Sequence, residues 1–412
     1  MRGMNRPKTQ VLYVHWGDEG IRGSERVLLD LLSGIDRTQF TPVLWCNAQT
    51  MATAARALDV QTRVSPMPIL LGWDAPRLDV AGYRRLLAEG GSIIREFGVQ
   101  LVHANSGAPN QWMVPAARQA RIPLLAHLHA IYRLRERCTL LLQQAPMIVG
   151  CSRAVVRPFE QDGVPDSRLR VIYNGVDTER LDPGDAQKLR ESLGIDPSAF
   201  VIACAGALIT LKGFDTVIRA LGITRGRGID AHLIVAGEGP ERGNLTRLAG
   251  QLGVGAQTHL VGETGNIGTI LRAADAVAVS SHIESFGLVA AEAGAAGRAV
   301  VATNVGGIPE VVEDGITGLL VAPRDEKAFA EALTRLARDS AMRTALGDAA
   351  RRRVLGKFSA QAAARSFENL YSELSDRPPG EFGWSGLGFS VAPFARLGIN
   401  VIGRRLGMRV AD

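Results

Sequence analysis

The chain is poor in the residues that mark metal or redox proteins. Its four cysteines, Cys46, Cys138, Cys151 and Cys204, form no C-x-x-C pair, which argues against a zinc ribbon and against a dithiol redox centre. Each lies in or beside an apolar segment and reads as a buried free thiol, which suits a reducing compartment. Long apolar runs are missing as well: nothing reaches the roughly 18 residues that a membrane-crossing helix needs. The opening MRGMNRPKTQ is polar and has no apolar stretch of signal-peptide length. These absences together predict a cytoplasmic protein. Aromatic residues are scarce, at 5%, and no RNP-like motif or Lys/Arg run is present. The excess of 47 Lys and Arg over 41 Asp and Glu gives a net charge of +6. So mild an excess permits attraction to phosphates or anionic lipid and gives no reason to expect a nucleic-acid partner.

What is present describes a folded chain. At 412 residues one compact core is too small a prediction, and two domains are expected. The 46 glycines suit many tight strand-to-helix turns. Short β-rich runs alternate with helical patterns from the start. Val11–Val14 reads as a strand, then a glycine-rich loop runs from His15 to Glu25, then Val27, Leu28, Leu31, Leu32 and Ile35 follow at helical spacing. Phe40–Cys46, Val60–Val64, Val99–His103, Ile122–His129, Met147–Cys151 and Leu169–Ile172 read as further strands, with a helix over Arg77–Phe97. Repeated βα alternation of this kind predicts a parallel, doubly wound sheet.

The turn-rich segment Tyr173–Gly184 interrupts the alternation and marks a domain boundary. The pattern then restarts with strands at Phe200–Ala205, His232–Ala236, His259–Val261, Asp275–Ser280, Ala299–Ala302 and Gly318–Val321. The fold class expected is therefore α/β, with two Rossmann-like domains of parallel sheet facing a cleft: residues 1–178, and residues 179–375 closed by helices over Asp325–Leu336, Met342–Val354 and Ala360–Leu374. Residues 376–412 form an extra tail. It mixes Phe382, Trp384, Phe389 and Phe394 with Arg396, Arg404, Arg405 and Arg409, a composition that suits peripheral docking on a membrane surface. Packing on the protein's own surface, or disorder, are the alternatives.

In open α/β sheets ligands sit beyond the carboxyl ends of the strands, and the polar residues of this sequence collect there. The richest stretch is Ser280–Gly297, SSHIESFGLVAAEAGAAG. A helix starting near Phe286 or Gly287 offers unpaired N–H groups and the positive end of a dipole to a phosphate, and Gly287 lets the phosphate come close. Lys212, before a helix of its own, adds a full positive charge. Glu292, on the helix, suits the hydroxyls of a ribose, and Glu284, in the loop, faces what lies beyond the phosphate. Two solvated glutamates on a surface helix are the bland alternative. GEGPER, Gly237–Arg242, lacks the third glycine of a dinucleotide fingerprint.

Glu284 and Glu292 match the E-x7-E motif of retaining GT-B glycosyltransferases, and ESFGLVAAEAGAAGRAVVATNVGGIPEVVEDGITGLLV resembles the glycosyltransferase family 4 pattern. GSERVLLDLL, HLHA, VIYNGVD, LKGFDTVIRAL and VAGEGPER resemble other segments of that family, so the resemblance covers about Val11 to Leu374. It implies a retaining glycosyltransferase that moves a sugar from a UDP- or GDP-sugar to an acceptor hydroxyl on a glycan or lipid-linked acceptor, without metal or other cofactor, in cell-surface polysaccharide or glycolipid synthesis, in the cytoplasm or at the inner face of the membrane. Carried over by residue, Glu292 binds the ribose and Glu284 orients the transferred sugar. Phe286, Gly287 and Leu288 offer backbone groups to the donor, Lys212 neutralises phosphate, and Gly237 belongs to the donor side. His129 lies near the reacting sugar, with His127 as its rival, and Gly23 and Ser24 belong to the acceptor-side loop.

One departure stands out. The family has an arginine directly after the glycine of its GR…KG motif, and here the pair is Gly206–Ala207. A bidentate phosphate contact is lost, with Arg298, Arg242 and Arg22 as candidate substitutes. A nucleotide-sugar 2-epimerase on the same fold and a non-catalytic nucleotide-sugar-binding subunit are the alternative readings.

Overall fold

The computed structural model describes residues 8–70, 79–179, 181 and 184–377. Most of the tail singled out above lies outside the described residues. The chain forms two compact units, which part between Tyr173 and Asn174 and again between Ala362 and Ala363.

The first unit is built on seven strands: β1 (Thr9–His15), β2 (Phe40–Cys46), β3 (Gln61–Val64), β4 (Leu101–Asn105), β5 (Leu124–Leu128), β6 (Met147–Gly150) and β7 (Leu169–Val171). Their order is β3-β2-β1-β4-β5-β6-β7, and all pairs are parallel. The second unit has six: β8 (Phe200–Ala205), β9 (Ala231–Ala236), β10 (Thr258–Gly262), β11 (Ala276–Val279), β12 (Ala299–Thr303) and β13 (Leu319–Val321), in the order β10-β9-β8-β11-β12-β13. Strands covered by helices on both faces need apolar residues at every position. The sequences VLYV in β1 and VIACA in β8 are such runs, and Val11–Val14 and Val201–Ala203 have no measurable exposure. Both sheets are doubly wound and reverse direction between their first and fourth strands. Each switch point opens a crevice at the strand ends: β1 and β4 in the first unit, β8 and β11 in the second.

The helix Ala360–Asp376 departs from the sequence reading, which closed the second domain, 179–375, with it. Its apolar stripe of Ala364, Phe367, Leu370, Tyr371 and Leu374 is buried with Val11, Tyr13, Leu44 and Leu101 in the core of the first unit. Glu368 Oε1 accepts from the Asp36 backbone N–H at 2.7 Å. Helical spacing reveals that one face must be covered but is silent about which sheet covers it. The chain changes units next to itself: Val176 N–H donates to Phe358 O at 2.8 Å and Ala360 N–H to Val176 O at 3.0 Å. Gly175 has room for no side chain there, because a Cβ would lie 2.5 Å from Ala360 Cα.

Candidate functional site

In the second unit, the switch point is occupied by the loop between β11 and the helix Leu288–Ala295. Gly287 caps this helix with φ +99°, a conformation open to glycine at little cost. The helix, LVAAEAGA, has no polar face: six of its eight residues, Ala290–Ala295, are buried. Small residues let it lie close to helix Ser340–Lys357, where a Cβ on Gly294 would come within 2.9 Å of Val354. Glu292 is its sole ionisable side chain and is 7% exposed. A carboxylate placed on an otherwise apolar, buried helix needs partners, which sets it apart from a solvated surface glutamate. Phe286 is 2% exposed, with its ring edge-on to Phe358 at 5.7 Å. Its side chain serves packing.

Lys212 and Glu284, seventy-two residues apart, meet in a salt bridge of 2.7 Å. Ser281 Oγ donates to the same carboxylate oxygen at 3.0 Å. Two sets of contacts hold Glu284 in place. On one side the turn Thr210–Lys212 is stitched to the loop: Ser280 Oγ donates to Lys212 O at 2.9 Å and His282 N–H to Leu211 O at 2.8 Å. On the other, Thr303 Oγ1 donates to Ser281 O at 2.6 Å and Gly307 N–H to Glu284 O at 3.0 Å. Gly306 packs so closely that a Cβ would fall 1.7 Å from Glu284 O. Thr303, Gly306 and Gly307 were not singled out as site residues in the sequence. The glycine pair after a strand was the available signal. Gly237, at φ +142°, lies against the end of β8, where a Cβ would sit 1.9 Å from Gly206 O.

His129, Gly23 and Ser24 belong to the first unit. Gly23 and Ser24 open the helix Gly23–Gly34, and His129 follows β5. A chain of hydrogen bonds crosses the switch point there. Glu25 Oε1 meets His15 Nε2 at 2.9 Å, His15 Nδ1 meets Asn105 Nδ2 at 2.9 Å, and Asn105 Oδ1 meets His129 Nε2 at 2.8 Å. Asn105 Nδ2 also reaches Ser24 O at 3.5 Å, and a carbonyl only accepts, which fixes the amide's orientation. The amide then donates to His15 Nδ1, so His15 carries its hydrogen on Nε2 and gives it to Glu25. His129 likewise carries its hydrogen on Nε2 and leaves Nδ1 as a lone pair. That Nδ1 is buried and has no hydrogen-bond partner. Burial, reinforced by His15, pushes the His129 imidazole down to about 3, against a smaller upward pull from Glu25. Burial pushes Glu25 up, but its bonds to His15 and to backbone N–H groups outweigh it, so its carboxyl lies below the usual range.

His127, the rival of His129, is held by packing through its Nδ1 side, and its Nε2, like His129 Nδ1, is buried with no hydrogen-bond partner. Its ring lies 4.1 Å from that of His129, but its Nδ1 bonds His103 Nε2 at 3.1 Å, and His103 Nδ1 bonds the Tyr371 hydroxyl at 2.6 Å. Phe367, on the helix that carries Tyr371, packs against His127 with ring centroids 4.7 Å apart and the rings tilted by 55°. His127 is a packed histidine beneath helix Ala360–Asp376.

The candidates for the arginine missing at Ala207 separate by position. Arg298 precedes β12 and bonds Arg272 O, beside Asp275 at the start of β11. That is the amino end of the sheet, opposite Glu284. Arg242 is at the carboxyl end but is held by Glu238 at 2.7 Å and by Leu260 O at 3.0 Å. Arg22 lies in the first unit and pairs with Asp18. Arg298 is thus at the wrong end of the sheet, and Arg242 is engaged by its own neighbours.

The chain matches two family descriptions in succession: Glycosyltransferase Family 4 over residues 21–180 and Glycosyl transferases group 1 over residues 185–353. It is 39% identical over 221 residues to the D-inositol 3-phosphate glycosyltransferase of Actinosynnema mirum, covering 51% of this chain and 53% of that protein. A protein of the same name from Mycobacterium tuberculosis strain F11 is 39% identical over 237 residues, 55% and 47% of the two chains. The match thus spans about half the length of these relatives. Among solved structures, Anabaena Alr3699/HepE in complex with UDP and glucose superposes with a TM-score of 0.78 at 24% identity, over 88% of this chain and 99% of that one. A glycosyltransferase from Rickettsia africae gives 0.78 at 19%, over 90% and 100%. Two doubly wound units and two successive family matches agree: the chain belongs to the group 1, family 4 glycosyltransferases and has the GT-B fold.

Proposed function

We propose that this chain transfers a sugar, with retention of anomeric configuration, from a nucleotide-sugar to an acceptor hydroxyl. The observation that supports the reading most is the Lys212–Glu284 pair at 2.7 Å, set at the switch point of the second sheet beside the Gly287 helix start and the buried Glu292. Glu292 takes the ribose diol. Backbone N–H groups at Gly287 and Leu288, with Lys212, hold the diphosphate and stabilise the charge that grows on it as it leaves. Glu284 orients the transferred sugar, and His129 is the candidate catalytic side chain that the first unit supplies. The acceptor oxygen bonds to the anomeric carbon on the face the diphosphate leaves. The carbon–oxygen bond to phosphate breaks, and the acceptor's proton passes to the departing phosphate oxygen. Neither a separate base nor a metal enters this scheme.

A UDP-sugar is the favoured donor, because a solved structure of the same fold, Anabaena Alr3699/HepE at 25% identity, is a complex with UDP. The proposed setting is synthesis of a cell-surface glycan or glycolipid, in the cytoplasm or at the inner membrane face, with residues 376–412 as a peripheral membrane contact. Among the described residues no helix is long and apolar enough to cross a membrane. Thermal shifts with UDP, GDP and their sugars test the donor: a ligand at a hundred times its Kd stabilises by about 2.7 kcal/mol. The expected outcome is a shift with UDP that Glu292→Ala abolishes, and loss of turnover with retained nucleotide binding in Glu284→Ala. No shift with any nucleotide, or wild-type behaviour in both variants, refutes the reading.

A further inference from the structure

The first unit contains a cavity of about 270 Å³ at the carboxyl ends of β1 and β4, bounded by Trp16, Tyr132, Asp18, Arg22, Glu25 and Ser106. Its size falls just under the roughly 300–1,000 Å³ of pockets for drug-sized ligands, which suits a single ring. Three features point to a ligand. Ser106 has φ +86°, a conformation that serine adopts at a cost, and its hydroxyl is buried with no partner. Strain of this kind clusters at active sites and ligand clamps. The wall offers close backbone: Gly17 is clamped by Asn47 through bonds of 3.0 and 2.8 Å, and a Cβ there would meet Glu25 Oε1 at 2.5 Å. Trp16 and Tyr132 are each tethered by a polar atom, the indole to Met67 O and the phenol to Gly107 N–H, so their rings stand fixed as flat apolar surfaces.

The charges select among ligands. Of the described residues that line the cavity, two are carboxylates and one is a guanidinium. Arg22 already faces Asp18 at 3.4 Å. Glu25 is held ionised by His15 and by the Arg22 backbone N–H. A phosphate here would compete with Asp18 for the single cation and stand near a second carboxylate. Hydroxyl groups would instead find acceptors in the carboxylates and backbone carbonyls and a partner in Ser106.

We propose that this cavity takes the acceptor, and that the acceptor is an uncharged polyol ring, a sugar or cyclitol without phosphate, in contrast to the phosphorylated compound in the names of the curated relatives. The proposal rests on the glycosyltransferase reading above and deepens it. Saturation-transfer NMR on the full chain, with and without UDP, tests it with two matched pairs: myo-inositol against D-inositol 3-phosphate, and glucose against glucose 6-phosphate. The expected result is binding of at least one neutral member, about 10-fold or more above its phosphate. Ser106→Gly, which removes the hydroxyl and relieves the backbone, is expected to weaken that binding while thermal unfolding is unchanged or raised. Preference for a phosphate, equal signals, no polyol signal, or insensitivity to Ser106→Gly overturns the proposal. A UDP shift with any of those results sinks this inference alone. Ser106-dependent polyol binding without any nucleotide shift sinks the donor reading and leaves the cavity assignment standing.

Discussion

Three buried imidazoles make the first unit acid-labile to a calculable extent. Burial, together with neighbouring imidazoles, holds His103 and His127 well below the ordinary histidine range, and His129 lies at about 3. In the unfolded chain each ring takes up a proton near its ordinary value of about 6.5. The unfolded state therefore binds more protons, and stability rises with pH. The contribution is complete above about pH 7 and is lost as the pH falls from about 6.5 toward the folded values. Near pH 5 the unfolded chain carries close to one extra proton on each ring. Three protons at about 1.36 kcal/mol each give a slope of roughly 4 kcal/mol per pH unit. A domain has about 5–15 kcal/mol in hand, so two to three pH units suffice to unfold this one. Glu25, whose carboxyl is also lowered, adds its loss only in stronger acid. Tryptophan fluorescence reports on this unit, because Trp16, Trp45 and Trp112 lie in it and the segment Asn174–Ala362 contains no tryptophan. Urea unfolding at pH 7, 6 and 5 is expected to show a loss of about 2 kcal/mol from pH 7 to 6 and about 3.6 kcal/mol from pH 6 to 5, and His129→Asn to remove about a third of each. A wild-type slope under about 1 kcal/mol per unit, or one unchanged in the variant, refutes the reasoning.

Other variants probe the site. Asn105→Asp removes the N–H that His15 Nδ1 accepts. His15 is then expected to gain a hydrogen on Nδ1, visible in long-range ¹H–¹⁵N spectra of the imidazole rings, and an unaltered pattern would contradict the hydrogen-bond directions assigned here. Gly306→Ala places a methyl 1.7 Å from Glu284 O at φ +54°. It is expected to cost the second unit about 2–4 kcal/mol and to impair turnover, whereas native-like hydrogen exchange and rate would show that the loop tolerates displacement. Lys212→Ala is expected to lower turnover by about 10²-fold, while Arg298→Ala, at the far end of the sheet, changes it by less than about twofold. Equal losses would refute the placement of the cationic role at Lys212.

Much of this architecture could be read from the residues. The strands at Phe40–Cys46 and Phe200–Ala205 agree with the sequence reading residue for residue, because a strand buried on both faces is dominated by apolar residues and here stops at Asn47 and at Gly206. The expected helix start at Phe286 or Gly287 agrees as well, since the left-handed cap at Gly287 calls for glycine. Helix Ala360–Asp376 was visible as a helix but was assigned to the wrong unit. Its stripe is as compatible with one sheet as with the other, and only Tyr371 on His103 and Phe367 on His127 decide.

The sequence by itself determined two parallel sheets, the glycine-capped helix and the family, because each depends on local periodicity or on motifs written contiguously. Tertiary structure alone decided what those motifs meet. Lys212 reaches Glu284 across seventy-two residues, and Glu25 reaches His129 only through His15 and Asn105 on two adjacent strands. Such pairings depend on which strands lie side by side at a switch point, a long-range property of the fold that no local pattern records.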